Sequence, residues 1–294
     1  MALKNKGTAL ASVFNLGKVS ISLPIAASAF TGYILFSQHL TLALLLPVTG
    51  VFLMASGASA LNQVQERMAD GLMERTRFRP LPAGILTKMQ GLLISIAFIL
   101  AGSLLLYLGS RLVSLLLGLF TLAWYNGLYT PLKKKTAFAI FPGALVGAIP
   151  PMIGWTAAGG YLFDRSLLTL SFFFFLAQVP HFWIILLRSG SDYEKAGFPV
   201  LSKVLSQRQI ERLTFTWVLI TAIGSLLLLL SVAITGFIWI SLVVINSAAF
   251  VILFGRLLFS GGPGSKLDHA FNLLNVYVLM IMMVVMLSNL FHHY

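Results

Sequence analysis

The chain has 294 residues, of which 58% are hydrophobic and only 10% charged, and its mean hydropathy is +0.93. A soluble domain carries about 25% charged residues, so this composition excludes a soluble enzyme and leaves no length for a large soluble domain beside the apolar segments. The absence of cysteine excludes disulfides, thiolate metal sites and cysteine nucleophiles, and the net charge of +12 is what Lys- and Arg-rich cytoplasmic loops give a membrane protein, with no nucleic-acid partner needed.

The hydrocarbon core of a bilayer takes about 20 apolar residues per helix. In chain order the spans fall near 16–37, 42–65, 89–109, 112–130, 137–158, 166–187, 213–233, 235–256 and 270–291. The reading is therefore an all-α, polytopic membrane protein of about nine transmembrane helices in one bundle, with residues 1–294 as a single membrane-embedded domain. The first span follows Lys4, Lys6 and Lys18 and contains the small-residue motif Ala27-Ser28-Ala29. Its apolar run continues to about Ser37, which makes it a first transmembrane helix and not a cleaved signal. Connections after spans one, three, five and seven are short, whereas those after spans two and six are long.

Basic residues sort by side. Lys4, Lys6 and Lys18 precede span one. Arg67, Arg75, Arg77, Arg79 and Lys88 follow span two, and Lys133, Lys134 and Lys135 follow span four. Arg188, Lys195, Lys203, Arg208 and Arg212 follow span six, and Arg256 and Lys266 follow span eight. Only Arg111 and Arg165 lie on the other side. The positive-inside rule then puts the N-terminus in the cytoplasm and the C-terminus outside. Acids are not sorted by that rule, yet Glu66, Asp70, Glu74, Asp192, Glu194 and Glu211 crowd in or beside two loops. Insertion does not explain the clustering; a site does. The two loops are four helices apart, which hints at a duplication whose halves face each other.

In the first acidic segment Asn62, Glu66 and Asp70 are spaced by four. Each step of four turns a helix by only about 40°, so the three share a stripe about 12 Å long at the membrane edge. Two carboxylates and an amide are hard oxygen ligands suited to Mg²⁺, which commonly binds through one or two carboxylates plus substrate phosphates. Arg75 and Arg79 follow, and guanidinium forks match phosphate oxygens. Pro80 and Pro82 then fix a turn. Like charges four apart repel, which argues against a purely structural stripe. Asp192, in the second segment, is a candidate ligand from the opposite half. His181 lies mid-span, where a polar group is a functional candidate by default, and Gln178 one turn earlier follows the same logic. Lys133–Lys135 are first of all topology determinants, with a role toward diphosphate as the alternative. Phe172–Phe175 and the methionines of 280–286 read as lipid- or core-facing bulk, and His292 and His293 as a tail.

Three segments carry a family resemblance. Asn62…Glu66…Asp70 with Arg75-Thr76-x-x-Arg79-Pro80-Leu81-Pro82-Ala83-Gly84 resembles the first aspartate-rich motif of the UbiA-superfamily intramembrane prenyltransferases. Pro180-His181-Phe182-Trp183 with Asp192-Tyr193-x-x-Ala196-Gly197-x-Pro199, and Gly147-Ala148-x-Pro150-Pro151-x-x-Gly154-Trp155, resemble the protoheme IX farnesyltransferase branch. Glu66 stands where that motif usually has Asp. The resemblance implies nine helices around a central lipid-accessible cavity, farnesyl diphosphate as donor and heme B as acceptor. It implies Mg²⁺ on Asn62, Glu66, Asp70 and Asp192, diphosphate on Arg75, Arg79, Lys133 and Lys134, and His181 with Gln178 toward heme. Heme A synthase or terminal-oxidase assembly factors are the implied partners, in a bacterial cell membrane. Prenyl transfer to a quinone precursor or chlorophyllide is the alternative within enzymes. A transporter with paired halves is the alternative from another class, but transporters place charges near the midplane, and here the acids keep to one edge.

Overall fold

The computed structural model describes residues 9–232, 234–259 and 265–291; Lys4, Lys6, His292 and His293 lie outside them, as does the side chain of Lys266. Among the described residues nine helical segments are long and apolar enough to cross a membrane. In chain order the helices are α1 (Ala9–Leu16), α2 (Val19–Ser37), α3 (Leu45–Leu72), α4 (Lys88–Gly109), α5 (Leu112–Leu122), α6 (Thr130–Leu132), α7 (Ile140–Ala157), α8 (Arg165–Lys195), α9 (Gln207–Ser231), α10 (Phe237–Phe259) and α11 (Ser265–Leu290). A π-helical stretch, Ala123–Tyr129, joins α5 to α6 into one span.

Two helices outrun the bilayer. α3 has 28 residues and α8 has 31, so at 1.5 Å per residue they reach about 42 and 46 Å, against a hydrocarbon core of about 30 Å. Their surplus turns project at the same end of the bundle, the end richer in basic residues. The excess on α3 carries Glu66 and Asp70. The excess on α8 follows a kink at Ser189 (φ −127°, ψ 19°) within Arg188-Ser-Gly-Ser, small residues of the kind that break a helical ladder, and carries Asp192. The long connections are thus partly helical, and α3 reaches Leu72 where the apolar pattern ends near 65.

Helix starts follow local chemistry. Thr87 with Gln90 and Ser206 with Gln209 form capping boxes at α4 and α9. Asp164, the one acid at the opposite end, accepts from the Ser166 and Leu167 amides (2.7 and 3.4 Å) and caps α8, which explains its exception to the acidic clustering. Helix pairs meet through small residues. A side chain at Gly32 would run into the Pro151 carbonyl and one at Gly154 into the Ala29 carbonyl, so α2 and α7 touch backbone to backbone. Ser95 Oγ donates to the Gly57 carbonyl at 2.9 Å between α4 and α3. In the second half Tyr277, Ser225 and Ser247 close a buried hydroxyl triangle (2.6, 2.9 and 3.3 Å) that ties α9, α10 and α11. Phe173 and Phe174 are core, whereas Phe172 faces outward; Met282 and Met286 are buried, and Met280 and Met283 exposed.

Candidate active site

The basic end of α3 assembles a buried charge cluster. Asn62, Glu66 and Asp70 are 2%, 4% and 1% exposed. Asp70 therefore does not sit in a wet loop past the span. It lies on the last turns of α3, roofed by residues 73–87, with its carbonyl accepting from Thr76 Oγ1 at 2.8 Å. Arg79 Nη1 meets both Asp70 carboxylate oxygens at 2.8 Å. Lys133 Nζ, from the turn after α6, lies 2.7 Å from Glu66 Oε2. The other oxygen, Glu66 Oε1, is buried and has no hydrogen-bond partner.

The π-helical stretch brings Lys133 to this place. Asn126 Nδ2 donates to Gln65 Oε1 and to the Ala58 carbonyl (3.0 and 3.1 Å), and Gln65 Nε2 donates to the Asn126 carbonyl at 3.0 Å. Asn62 Nδ2 donates to Thr130 Oγ1 at 3.2 Å. π turns interrupt the regular ladder and frequently occur at functional sites. Here the interruption locks the span of α5 and α6 onto α3. Gly143 of α7 leaves room for the Tyr129 ring, which a side chain there would strike. Beside the cluster a cavity of about 50 Å³ is lined by Tyr129, Lys133, Phe182, Tyr193 and Phe198, among others.

Lys18 is a residue that the charge pattern alone does not single out. In sequence terms it is a topology determinant. In the fold it stands one residue before the first span, in a left-handed conformation (φ 46°, ψ 57°), and its Nζ reaches Asn62 Oδ1 at 3.4 Å. Desolvation by burial, reinforced by Arg79 and Lys133, lowers its pKa from the ordinary 10.5 to about 7. The one available signal is its place, immediately ahead of an unbroken apolar run. With Lys18 the cluster holds three basic groups against two carboxylates.

The remaining expected residues distribute around this core. Asp192 does not join the α3 acids directly; its Oδ2 accepts from the Arg75 amide at 3.2 Å. Together with the Lys195–Glu74 pair at 3.0 Å this contact docks the two halves of the molecule onto each other. Arg75 is exposed at the rim, and so is Lys134, whose Nζ is 3.5 Å from the Gln65 carbonyl. Gln178 packs over Gly147 of α7, while His181 turns to α11, its ring 4.6 Å from that of Phe271; the two thus face different neighbours. Among the described residues no three acidic or histidine side chains converge as a ready metal cage. A hard cation does fit the cluster at Glu66, where a buried carboxylate oxygen lies unpartnered one helical turn from Asn62. In chemical terms the arrangement can seat an anion on Lys18, Arg79 and Lys133 with a divalent cation against the acids.

The description of the UbiA prenyltransferase family matches residues 19–288. A protoheme IX farnesyltransferase of Nitratidesulfovibrio vulgaris is 40% identical over 208 residues, covering 71% of this chain and 72% of that protein. Its counterpart from Geobacter sulfurreducens is 46% identical over 60% of this chain and 64% of its own. Among solved structures, digeranylgeranylglyceryl phosphate synthase superposes with a TM-score of 0.74 at 16% identity, covering 96% of this chain and 98% of that one. A UbiA homologue from Archaeoglobus fulgidus bound to GPP and Mg²⁺ gives 0.66 at 13%, covering 93% and 99%. The identities of these structures carry the fold alone, but the family match covers nearly the whole chain: this protein, a multi-pass membrane protein, belongs to the UbiA prenyltransferase family.

Proposed function

We propose that the chain transfers the farnesyl group of farnesyl diphosphate to a vinyl group of protoheme IX, producing heme O for a heme-copper oxidase. The single observation that carries the donor half is the buried cluster in which Lys18, Arg79 and Lys133 surround Glu66 and Asp70, with Glu66 Oε1 left unpartnered. The acceptor half rests on the likeness to the protoheme IX farnesyltransferases.

Asn62, Glu66 and Asp70 would hold Mg²⁺, with Asp192 from the other half completing the set once it leaves the Arg75 amide. When bound, the cation neutralises diphosphate charge and assists its departure. Arg79 and Lys133 turn from the carboxylates to the diphosphate oxygens and stabilise the charge that develops as the C–O bond breaks. Lys18 adds a third donor from beneath. Tyr129, Phe182 and Phe198 line the cavity and exclude water from the allylic carbon. The acceptor's terminal vinyl carbon attacks that carbon as diphosphate departs, which leaves a cation on the other vinyl carbon; water adds there and releases one proton to the departed diphosphate or to solvent, giving the hydroxyethylfarnesyl product. Both substrates are apolar with one charged end, which fits a site at the cytoplasmic edge of a membrane bundle. That orientation follows from the basic residues. Assembly partners such as heme A synthase remain part of this proposal.

The test is direct. Membranes containing the protein are incubated with farnesyl diphosphate and heme B, with and without Mg²⁺, and pigments are resolved by mass. A farnesylated heme that appears only with the metal supports the reading. Prenylation of an added quinone precursor instead of heme overturns it.

A further inference from the structure

At the end of the bundle opposite the charge cluster, α8 and α9 enclose a groove on their outward side. Ser166 Oγ donates to the Ser231 carbonyl at 2.7 Å and ties the two helices together at this end. Deeper in the bundle Thr221 Oγ1 donates to the Leu176 carbonyl at 3.1 Å, and a side chain at Gly224 would strike Leu176. Between these contacts lies a cavity of about 450 Å³, lined by Arg165, Leu168 and Phe172 of α8 and by Leu227 and Leu230 of α9, among others. On the inner side of the same pair Leu167, Leu170 and Leu228 are fully buried, whereas the four apolar residues of the groove are exposed.

Positions 165, 168 and 172 recur at helical spacing, so the groove runs about 10.5 Å along α8, against about 15 Å for one leaflet's half of the hydrocarbon core. Its polarity is confined to one end. The hydroxyls of Thr169 and Ser231 are spent on the Arg165 and Leu227 carbonyls (2.9 and 3.0 Å), and the Asp164 carboxylate on the first amides of α8. Among the described residues the exposed Arg165 guanidinium has no hydrogen bond or ion pair. Its placement runs against two general preferences. Basic residues collect at the other end of the bundle, with only Arg111 and Arg165 at this one, and a cation in the first turn of a helix meets the positive end of the macrodipole. Neither insertion nor helix stability accounts for Arg165; an anion does.

We propose that this groove seats one anionic phospholipid of the leaflet opposite the charge cluster, its phosphate on Arg165 and one acyl chain along Leu168, Phe172 and Leu227. A guanidinium fork takes two phosphate oxygens at once. A headgroup without a cation of its own leaves that charge to Arg165, so phosphatidylglycerol is preferred to phosphatidylcholine. A groove apolar along its length and cationic at one end matches an amphiphile lying parallel to the helix axes. Farnesyl diphosphate shares this chemistry, but its charges face three bases at the other end of the bundle and a single one here. The seat does not depend on which acceptor is prenylated.

The chain has no cysteine, so Leu230→Cys gives a single site for a fluorophore beside the groove. The labelled protein is placed in nanodiscs of phosphatidylglycerol and phosphatidylcholine, with bromines on the acyl chains of one lipid or the other, and quenching is followed against composition. Brominated phosphatidylglycerol is expected to quench as a lipid bound about tenfold more tightly than phosphatidylcholine. Adding Arg165→Ala should abolish the preference, and Arg165→Lys should keep most of it. Arg111→Ala, which removes the other basic residue of this end, should leave it intact. The same label on Ile245→Cys, an exposed position of α10, should show no preference. Because both lipids are compared within one variant, a general loss of folding cannot mimic the Arg165 result. Equal quenching by the two lipids at Leu230→Cys overturns the seat, and so does a preference that survives Arg165→Ala. Equal effects of Arg111→Ala and Arg165→Ala, or an equal preference at Ile245→Cys, would trace the preference to the general field of the protein and overturn the seat as well. Relief of the quenching by farnesyl diphosphate would reassign the groove to a prenyl diphosphate and overturn it too.

Discussion

Lys133 Nζ sits 2.7 Å from one oxygen of Glu66 while the other oxygen of the same buried carboxylate has no partner. The carboxylate is half neutralised and half waiting. That asymmetry organises the expectations for the donor site.

Glu66→Gln should lose most of the activity, about 100-fold or more, and Glu66→Asp should keep a good part of it. Gln preserves shape but removes the charge facing the metal. Asp keeps the charge on an arm shorter by one methylene, and Mg²⁺, which usually retains several waters, tolerates a water in the gap. Product formation is measured against Mg²⁺ concentration for both variants. A silent Glu66→Gln would leave Asn62, Asp70 and Asp192 as the only candidate ligands.

Metal and diphosphate should bind cooperatively. At rest the acids are paired with the very bases that the diphosphate needs, so each ligand alone must break Lys133–Glu66 or Arg79–Asp70 without compensation. Calorimetric titration of Mg²⁺ in the presence of pyrophosphate should show an affinity at least tenfold tighter than without it, a coupling of about 1–3 kcal/mol. Lys133→Met should shrink that factor; independent binding of the two in the wild type would refute the exchange.

Asp70→Ala should abolish turnover in a protein that still inserts, and it should also lower thermal stability. Arg79 loses both of its 2.8 Å contacts and is left mostly buried. Removing one partner of a buried pair costs about 3–5 kcal/mol; with Arg79 23% exposed the loss belongs at or below the lower end. Normal product formation by the variant would remove Asp70 from the site.

The lowered pKa of Lys18 has a stability signature. The folded protein releases its proton near pH 7 and the unfolded chain near 10.5. Between these values the unfolded state binds more protons, so stability rises with pH, and below pH 7 both states are protonated and the dependence flattens. The midpoint of thermal unfolding of the ligand-free protein in detergent should therefore climb from pH 7 to pH 9. Lys18→Met should flatten the climb; a variant with the wild-type slope would place its origin elsewhere.

A topology reporter fused after residue 294 should read as external and one at the N-terminus as cytoplasmic, following the basic residues that crowd one end. A cytoplasmic reading at both ends would require an even number of crossings.

Fold class and span order were legible in the sequence because burying backbone in hydrocarbon forces long apolar helices: α4, α10 and the span Leu112–Leu132, built from α5, the π-helical stretch and α6, stand within a few residues of their expected bounds. The stripe Asn62–Glu66–Asp70 was legible too, since a spacing of four reports one helical face. What only the tertiary structure decided is who meets whom. Glu66 pairs with Lys133, far along the chain, because a π turn between α5 and α6 is locked by Asn126 onto Gln65. Asp70 is buried because α3 outlasts its apolar pattern and the loop folds back to bring Arg79 over it. Lys18 reaches Asn62 through a left-handed residue whose conformation no local pattern signals. Asp192 meets Arg75 instead of the α3 acids because α8 kinks at Ser189. Periodicity records the face that a residue shares with its own helix; its partner on another helix depends on packing between segments remote in sequence, and that becomes fixed only when the bundle closes.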